Sequence, residues 1–307
     1  MHVAILSARA GWQTGELCRA LAARGHTGQV LRYEPLVARL GTRRGRAGGL
    51  SSDGAPLFDA DAVLARIVPL GSLEQIIYRV DALHWIEDHG VPVMNSPRAL
   101  ERSIDKFYTT ALLEEAGLPT PETVACESAA DALSAVRAMG DVVIKPIFGG
   151  MGHGIVRVSD PDVAFRVAQS LEQIRAVFYV QRFVGPGGCD VRVFVVGGRA
   201  IGAIERTAPA GEWRANVSRA GTARPFELPA AWGDLAVRAA ASVGADYAGV
   251  DLLPAPDGGA FVLEVNAVPG WRGLQQATGL DVAGAIVEHL EARVRSTPAV
   301  RAMERPA

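Results

Sequence analysis

Short apolar runs alternate with helical patterns along the first hundred residues. Val3 to Ser7, Ala62 to Val68 and Val91 to Asn95 read as strands, and Thr14 to Ala23 and Leu73 to Asp88 read as the helices between them. Such alternation implies a parallel sheet with helical crossovers. A helix is predicted from about Pro97 to Ala116, ending at Gly117 because Pro119 and Pro121 prevent its continuation. Beyond it the pattern gives a strand at Glu122 to Cys126, a helix at Ala129 to Met139, the strand Val142 to Lys145, a glycine loop and a strand at Ile155 to Val158. A helix opened by Asp160-Pro161 and a strand over Val177 to Phe183 follow. The remainder carries antiparallel signals: Val191 to Val196 and Ala200 to Arg206 flank a Gly197-Gly198 turn, a helix covers about Leu235 to Val243, and strands at Gly249 to Leu253 and Ala260 to Val265 precede a last helix at Val282 to Val294. The expected units are 1–96, 97–184 and 185–295, with a disordered tail at 296–307.

Three groups of residues carry candidate chemistry. Pro256-Asp257-Gly258-Gly259 reads as a two-residue turn, and counting outward from it pairs Leu252 with Leu263 and Asp251 with Glu264. Asn266 lies two residues beyond Glu264 and shares its face. Two facing carboxylates repel unless a cation lies between them, and Mg²⁺ favours such oxygen donors together with substrate phosphates. An ordinary hairpin with solvated acids accounts for these residues equally well, and Pro254 and Pro256 introduce the chance of a bulge that flips the faces.

Lys145 closes the apolar run Val142-Val143-Ile144 and is followed by Gly149-Gly150-Met151-Gly152-His153-Gly154. A buried lysine needs an anionic partner or a wet cleft. Four glycines in six positions let backbone N–H groups wrap a polyphosphate. No Gly-Lys-Ser/Thr follows, which excludes a Walker A loop, and the opening Ser7 to Gly11 lacks a dinucleotide fingerprint. The third group is Asp190, Arg192, Arg206, Arg214 and Asn216, whose guanidinium groups suit carboxylate or phosphate; surface ion pairing is the competing explanation.

Composition narrows the picture. With 49% hydrophobic and 21% charged residues, the chain has a globular balance, and its net charge of −2 gives no general attraction to nucleic acid or an anionic membrane. The cluster Arg39, Arg43, Arg44 and Arg46 lacks interleaved aromatic residues and reads as a mobile loop. Cys18, Cys126 and Cys189 form no C-x-x-C pair, and no apolar run of membrane-spanning length occurs, so a cytoplasmic location is expected, with no nucleic-acid and no membrane partner.

In order, Asn95-Ser96-Pro97, Asp105-Lys106, Val143-Ile144-Lys145-Pro146 with the glycine loop, Val180-Gln181-Arg182-Phe183-Val184, Gly188-Cys189-Asp190-Val191-Arg192, Trp213-Arg214-Ala215-Asn216, Gly249-Val250-Asp251 and Leu263-Glu264-Val265-Asn266 resemble the RimK-like branch of the ATP-grasp enzymes. The resemblance spans about Val91 to Leu290 and implies an α/β (α+β) ATP-grasp fold, with an N-terminal parallel-sheet domain and two lobes enclosing ATP. It also implies that Lys106 and Lys145 contact the ATP phosphates and that Gly149, Gly150, Met151 and Gly152 close over them. Gln181, Arg182, Phe183 and Val184 would then receive adenine, Asp190 the ribose, and Arg214 and Asn216 the phosphates. Asp251, Glu264 and Asn266 would bind two Mg²⁺ ions, for which Mn²⁺ can stand in, and Arg192 and Arg206 would hold carboxylate or acylphosphate oxygens. Relatives usually carry Glu where this chain has Arg182. The implied partners are a small-molecule carboxylate acceptor and an amino acid, in a homodimer or homotetramer. The implied activity is ATP-dependent amide formation, with glutamate as the first expectation. A ligase of D-alanine or lysine-pathway type and a non-catalytic ATP-binding module are the alternatives.

Overall fold

The computed structural model describes residues 1–41, 49–149, 153–185, 187–214 and 221–297. Four parallel strands, β1 (His2–Ser7), β2 (Thr27–Arg32), β6 (Ala62–Ala65) and β7 (Val93–Met94), form the N-terminal sheet in the order β2-β1-β6-β7. Helices α1 (Trp12–Ala23) and α2 (Leu73–Asp88) supply crossovers. Both faces of this sheet are covered, which is why its strands read as unbroken apolar runs. Val3 and Ile5 pack on one side with α1, and Ala4 and Leu6 on the other with α2. The edge strand β2 and a small antiparallel sheet of β3 (Val37–Arg39), β4 (Gly49–Ser52) and β5 (Ala55–Pro56) are absent from the pattern-based expectation. Their sequences TGQVLR, VAR, GLSS and AP hold few apolar residues and no apolar–polar alternation, which is the signal that marks a strand.

The expected helix from Pro97 to Ala116 is two helices, α3 (Pro97–Ile104) and α4 (Lys106–Glu115). Asp105 breaks it with φ −90 and ψ 105 and caps α4 by accepting from the Tyr108 N–H at 3.0 Å. That break starts a fresh helix at Lys106 and aims its side chain toward the glycine loop.

The central lobe holds β8 (Thr123–Cys126), α5 (Ala129–Met139), β9 (Val142–Lys145), β10 (Val156–Val158), α6 (Pro161–Gln173) and β11 (Phe178–Arg182), with sheet order β10-β9-β11-β8. Val142, Ile144, Phe178 and Val180 pack on α5 and α6. By the two-residue period, Val143, Lys145, Tyr179 and Gln181 take the opposite face.

The C-terminal lobe contains β12 (Cys189–Val196), β13 (Arg199–Thr207), β14 (Thr222–Pro225), α7 (Ala230–Val243), β15 (Tyr247–Pro254), β16 (Ala260–Asn266), α8 (Arg272–Thr278) and α9 (Val282–Ser296). Its sheet order is β14-β13-β12-β15-β16. Gly197 and Gly198, at φ +55 and +72, turn β12 into β13 as expected. Val191, Val193, Val195, Val250 and Val265 pack on α7. The other face is apolar at one end, where Phe194 and Ile204 join Trp271 and the N-terminal sheet in a shared core, and charged at the other. Asn95 fastens the two units together: its amide donates to the Tyr247 and Ala267 carbonyls at 2.8 and 2.6 Å, and its oxygen accepts from the Asp246 and Tyr247 N–H groups at 2.6 and 3.1 Å.

Candidate active site

The uncovered faces of the central and C-terminal sheets bound an open cleft of about 1040 Å³. Its lining includes Lys106, Lys145, Gly149, Gln181, Arg182, Phe183, Val184, Asp190, Arg214, Asp251 and Glu264 from the sequence-based set. Gly150, Met151, Gly152 and Asn216, with the basic Arg43, Arg44 and Arg46 and the tail beyond 297, lie outside the described residues.

Asp251 pairs with Glu264 across β15 and β16, as expected, but by a different route. The connection is a five-residue loop, 255–259, so Leu252 faces Val262 rather than Leu263, and Pro254 faces Ala260. A bulge between Asp251 and Leu252 inserts one residue and restores the pairing. Without it Asp251 would oppose Leu263 and Glu264 would turn toward α7. The bulge also places the consecutive residues Leu263 and Glu264 on the same cleft wall, one apolar and one anionic.

Lysine occurs only at Lys106 and Lys145 in the whole chain; the other members of its 31 Lys and Arg residues are arginines. Both lysines reach this cleft, a signal already present in the sequence. Lys106 Nζ donates to the Gly149 carbonyl at 2.6 Å and the Ile147 carbonyl at 3.3 Å, which ties it to the base of the glycine loop. Lys145 Nζ donates to Gln181 Oε1 at 2.6 Å and lies 5.9 Å from the centre of the Tyr179 ring. Gln181, 2% exposed, is fixed in turn by donating to Thr123 Oγ1 at 2.9 Å and the Tyr179 hydroxyl at 3.2 Å. The resemblance implied that Gln181 receives adenine; its side chain also holds the lysine. Burial lowers the pKa of both lysines, that of Lys145 to about 8, against an opposing pull from Glu264. Charge-assisted donors held in a partly dry cleft suit a polyphosphate.

Asp251 is buried and gripped by two arginines. Arg192 donates to it through Nε at 2.6 Å and Nη2 at 2.7 Å, and Arg206 Nη2 lies 2.8 Å from Oδ2. Arg206 also forks onto Asp190 at 2.5 and 2.6 Å. Burial pulls the Asp251 carboxyl up, but Arg192 and Arg206 outweigh it and hold the pKa at about 2. Asp190 is shifted upward by burial. Burial works against the Arg206 charge as well, yet Asp251 and Asp190 together raise its pKa. Arg206, expected to meet substrate oxygens, has a side chain that is 5% exposed and ion-paired with both Asp190 and Asp251. Arg192 is 19% exposed and lies beside rather than in the cleft lining.

Glu264 has no hydrogen bond or ion pair among the described residues, while Asn266 Oδ1 accepts from the Val268 N–H at 2.9 Å. No group of three or more acidic, histidine or cysteine side chains assembles among the described residues. One open carboxylate, one shared carboxylate and an amide oxygen fit Mg²⁺, which takes few protein ligands and completes its shell with water and phosphate oxygens.

The Arg182 side chain donates from Nε to Glu122 at 2.8 Å and from Nη1 to the Met139 carbonyl at 2.9 Å, which ties it to the outer edge of the lobe. Phe183 is held between the Arg157 guanidinium, 3.6 Å from its ring centre, and the Trp213 ring at 5.8 Å. With Ile155, Leu253 and Leu263 it gives the cleft lining apolar surface, which suits a base. Arg214 is engaged by Glu212 at 2.9 and 2.7 Å.

The RimK PreATP-grasp domain matches residues 1–100, and the RimK-like ATP-grasp domain matches residues 103–290. The chain belongs to the RimK-like ATP-grasp family. Among its relatives is the tetrahydromethanopterin:alpha-L-glutamate ligase of Methanosarcina acetivorans, 38% identical over 262 residues that span 76% of this chain and 81% of that protein. A probable alpha-L-glutamate ligase of Trichodesmium erythraeum is 34% identical over 97% of this chain and 98% of its own length. The RimK-like fold is shared with the ATP-grasp ligase PsnB complexed with its minimal precursor, at TM-score 0.74 and 25% identity over 95% of this chain and 98% of that one. A PsnB complex with a phosphomimetic variant of that precursor, Mg and ADP aligns at TM-score 0.72 and 24% identity, over the same shares of the two chains. This RimK-like chain is an ATP-dependent carboxylate–amine ligase. Among the described residues no helix is long and apolar enough to cross a membrane.

Proposed function

We propose that this ligase joins L-glutamate to an acidic small molecule, a coenzyme side chain or a protein C-terminus. The observation that carries the reading is the meeting of the chain's two lysines with the Asp251–Glu264 pair in one cleft. A substrate carboxylate oxygen attacks the γ-phosphorus of ATP and ADP departs; the amine nitrogen then attacks the acyl carbon, phosphate leaves and an amide remains. Lys106 and Lys145 hold the phosphates, the 181–184 hinge takes the base and Asp190 the ribose. Arg192, released in part from Asp251, orients the carboxylate oxygens. When bound by Asp251, Glu264 and Asn266, two Mg²⁺ ions, or Mn²⁺ in their place, would neutralise charge on the transferring phosphoryl group. No covalent enzyme nucleophile is needed, so the residues act by positioning and electrostatics. The units 1–96, 97–184 and 185–295 would serve as acceptor domain, flap-bearing lobe and metal-bearing lobe.

Glutamate is favoured over other amines because the curated relatives quoted above are named as glutamate ligases. Incubation with ATP, Mg²⁺, candidate acids and a panel of amino acids is expected to release ADP and phosphate only when L-glutamate is present, with mass spectrometry showing one added glutamyl unit. AMP as the sole nucleotide product, or a preference for another amino acid, would reject the assignment.

A further inference from the structure

The two lysines of the cleft belong to one closed circuit of contacts. Lys106 is the first residue of α4, and its Nζ is bonded to the Ile147 and Gly149 carbonyls, two and four residues after Lys145. One turn further along the same face of α4, the Thr110 hydroxyl lies 2.7 Å from the Tyr179 hydroxyl. The neighbouring Thr109 takes no part, since it donates back to the Arg102 carbonyl at 2.5 Å. Tyr179 stands opposite Lys145 across β9 and β11 and accepts from Gln181 Nε2 at 3.2 Å, while Gln181 Oε1 accepts from Lys145 Nζ at 2.6 Å. The circuit thus runs from Lys106 through Thr110, Tyr179 and Gln181 to Lys145, and returns through residues 147–149.

The available protons give this chain one direction. A lysine ammonium and the nitrogen of a glutamine amide only donate. Both Nε2 protons of Gln181 are engaged, one on Thr123 Oγ1 at 2.9 Å and one on Tyr179, so its Oε1 must face the lysine. Tyr179 is 1% exposed, and burial raises its pKa, so it keeps a proton to offer Thr110. A neutral amide aims Lys145 without neutralising it, whereas a carboxylate in that place would compete with phosphate for the charge. A brace is needed because the two ammonium groups lie within each other's field: after burial, the Lys106 charge also lowers the Lys145 pKa.

We propose that Thr110 and Tyr179 are positioning residues which, acting through Gln181, hold Lys145 in place against Lys106 so that the two ammonium groups grip one polyphosphate as a unit. This rests on the reading given above, in which both lysines hold the ATP phosphates, and adds the residues that set their placement. Tyr179→Phe is the sharp test because it removes one hydroxyl and keeps the ring beside Lys145. At a temperature where the variant is folded, its Kd for a non-hydrolysable ATP analogue is expected to rise about five-fold, the effect of losing one neutral hydrogen bond. Thr110→Val should weaken binding in the same direction, and the double variant should bind no more weakly than Tyr179→Phe alone, because both changes act on one path. A purely structural tyrosine would lower Tm and leave the affinity of the folded protein unchanged; that result, or additive losses in the double variant, would overturn the proposal. A second readout needs no nucleotide: with ¹³C at the lysine ε-carbons, the Lys145 signal of the free protein should move in Tyr179→Phe, and an unmoved signal would also overturn it. If Lys145→Met binds the analogue as tightly as the parent, the phosphate role fails at that step, while the Lys145 signal in Tyr179→Phe still judges the brace.

Discussion

The protonation of Lys145 ties the stability of this chain to its affinity for nucleotide, with opposite signs. Burial lowers its pKa from 10.5 to about 8, Lys106 adds to the lowering, and Glu264 and Asp251 oppose it. That difference corresponds to at most about 3 kcal/mol of destabilisation of the charged form, an upper figure because the side chain still meets cleft water. The unfolded chain keeps this proton up to about pH 10.5 whereas the folded chain releases it near 8, so the unfolded state binds more protons in between. The unliganded protein should therefore gain stability from this group as pH rises through that window, and the penalty should be complete below it. A triphosphate supplies the missing counter-charge and restores the proton, so nucleotide affinity should fall over the same interval. Because the chain has only two lysines, a protein carrying ¹³C at the lysine ε-carbons gives two side-chain signals, and Lys106→Arg leaves one. The Lys145 signal is expected to titrate near 8 without nucleotide and well above that with a non-hydrolysable analogue. Titration at the ordinary lysine value in the free protein would refute the claim that burial dominates this site.

Two further outcomes test the anionic side of the cleft. Glu264→Gln should reduce turnover by ~100-fold or more while changing Tm little, because Glu264 has no hydrogen bond or ion pair to lose among the described residues; wild-type turnover would reject its role beside the phosphates. Arg206→Ala should destabilise the chain by ~3–5 kcal/mol in urea unfolding, since it strips the buried Asp190 of its only ion-pair partner among the described residues and leaves Asp251 with Arg192 alone. A loss below ~1 kcal/mol would show that these carboxylates are neutralised by other means.

Local chemistry made much of this protein legible in its sequence. Period-two apolar runs, the Asp160-Pro161 helix start and the Gly197-Gly198 turn act over a few residues, so the order of strands and helices and the two sheet-building lobes could be read without coordinates. The pairing of Asp251 with Glu264 was legible too, although the assumed two-residue turn was wrong and a bulge beside Asp251 compensated for it. Tertiary structure decided the rest. Most strands and helices present arginines of similar local appearance, and only the folded register assigns Arg192 and Arg206 to Asp251 and Asp190 and turns Arg182 to Glu122. Gln181 finds Lys145, and Asn95 finds Tyr247 and Ala267, across 36, 152 and 172 residues of chain. Backbone propensity and turn chemistry are set by neighbours in sequence, whereas the choice among equivalent buried partners is made by packing between segments that meet only when the chain has folded.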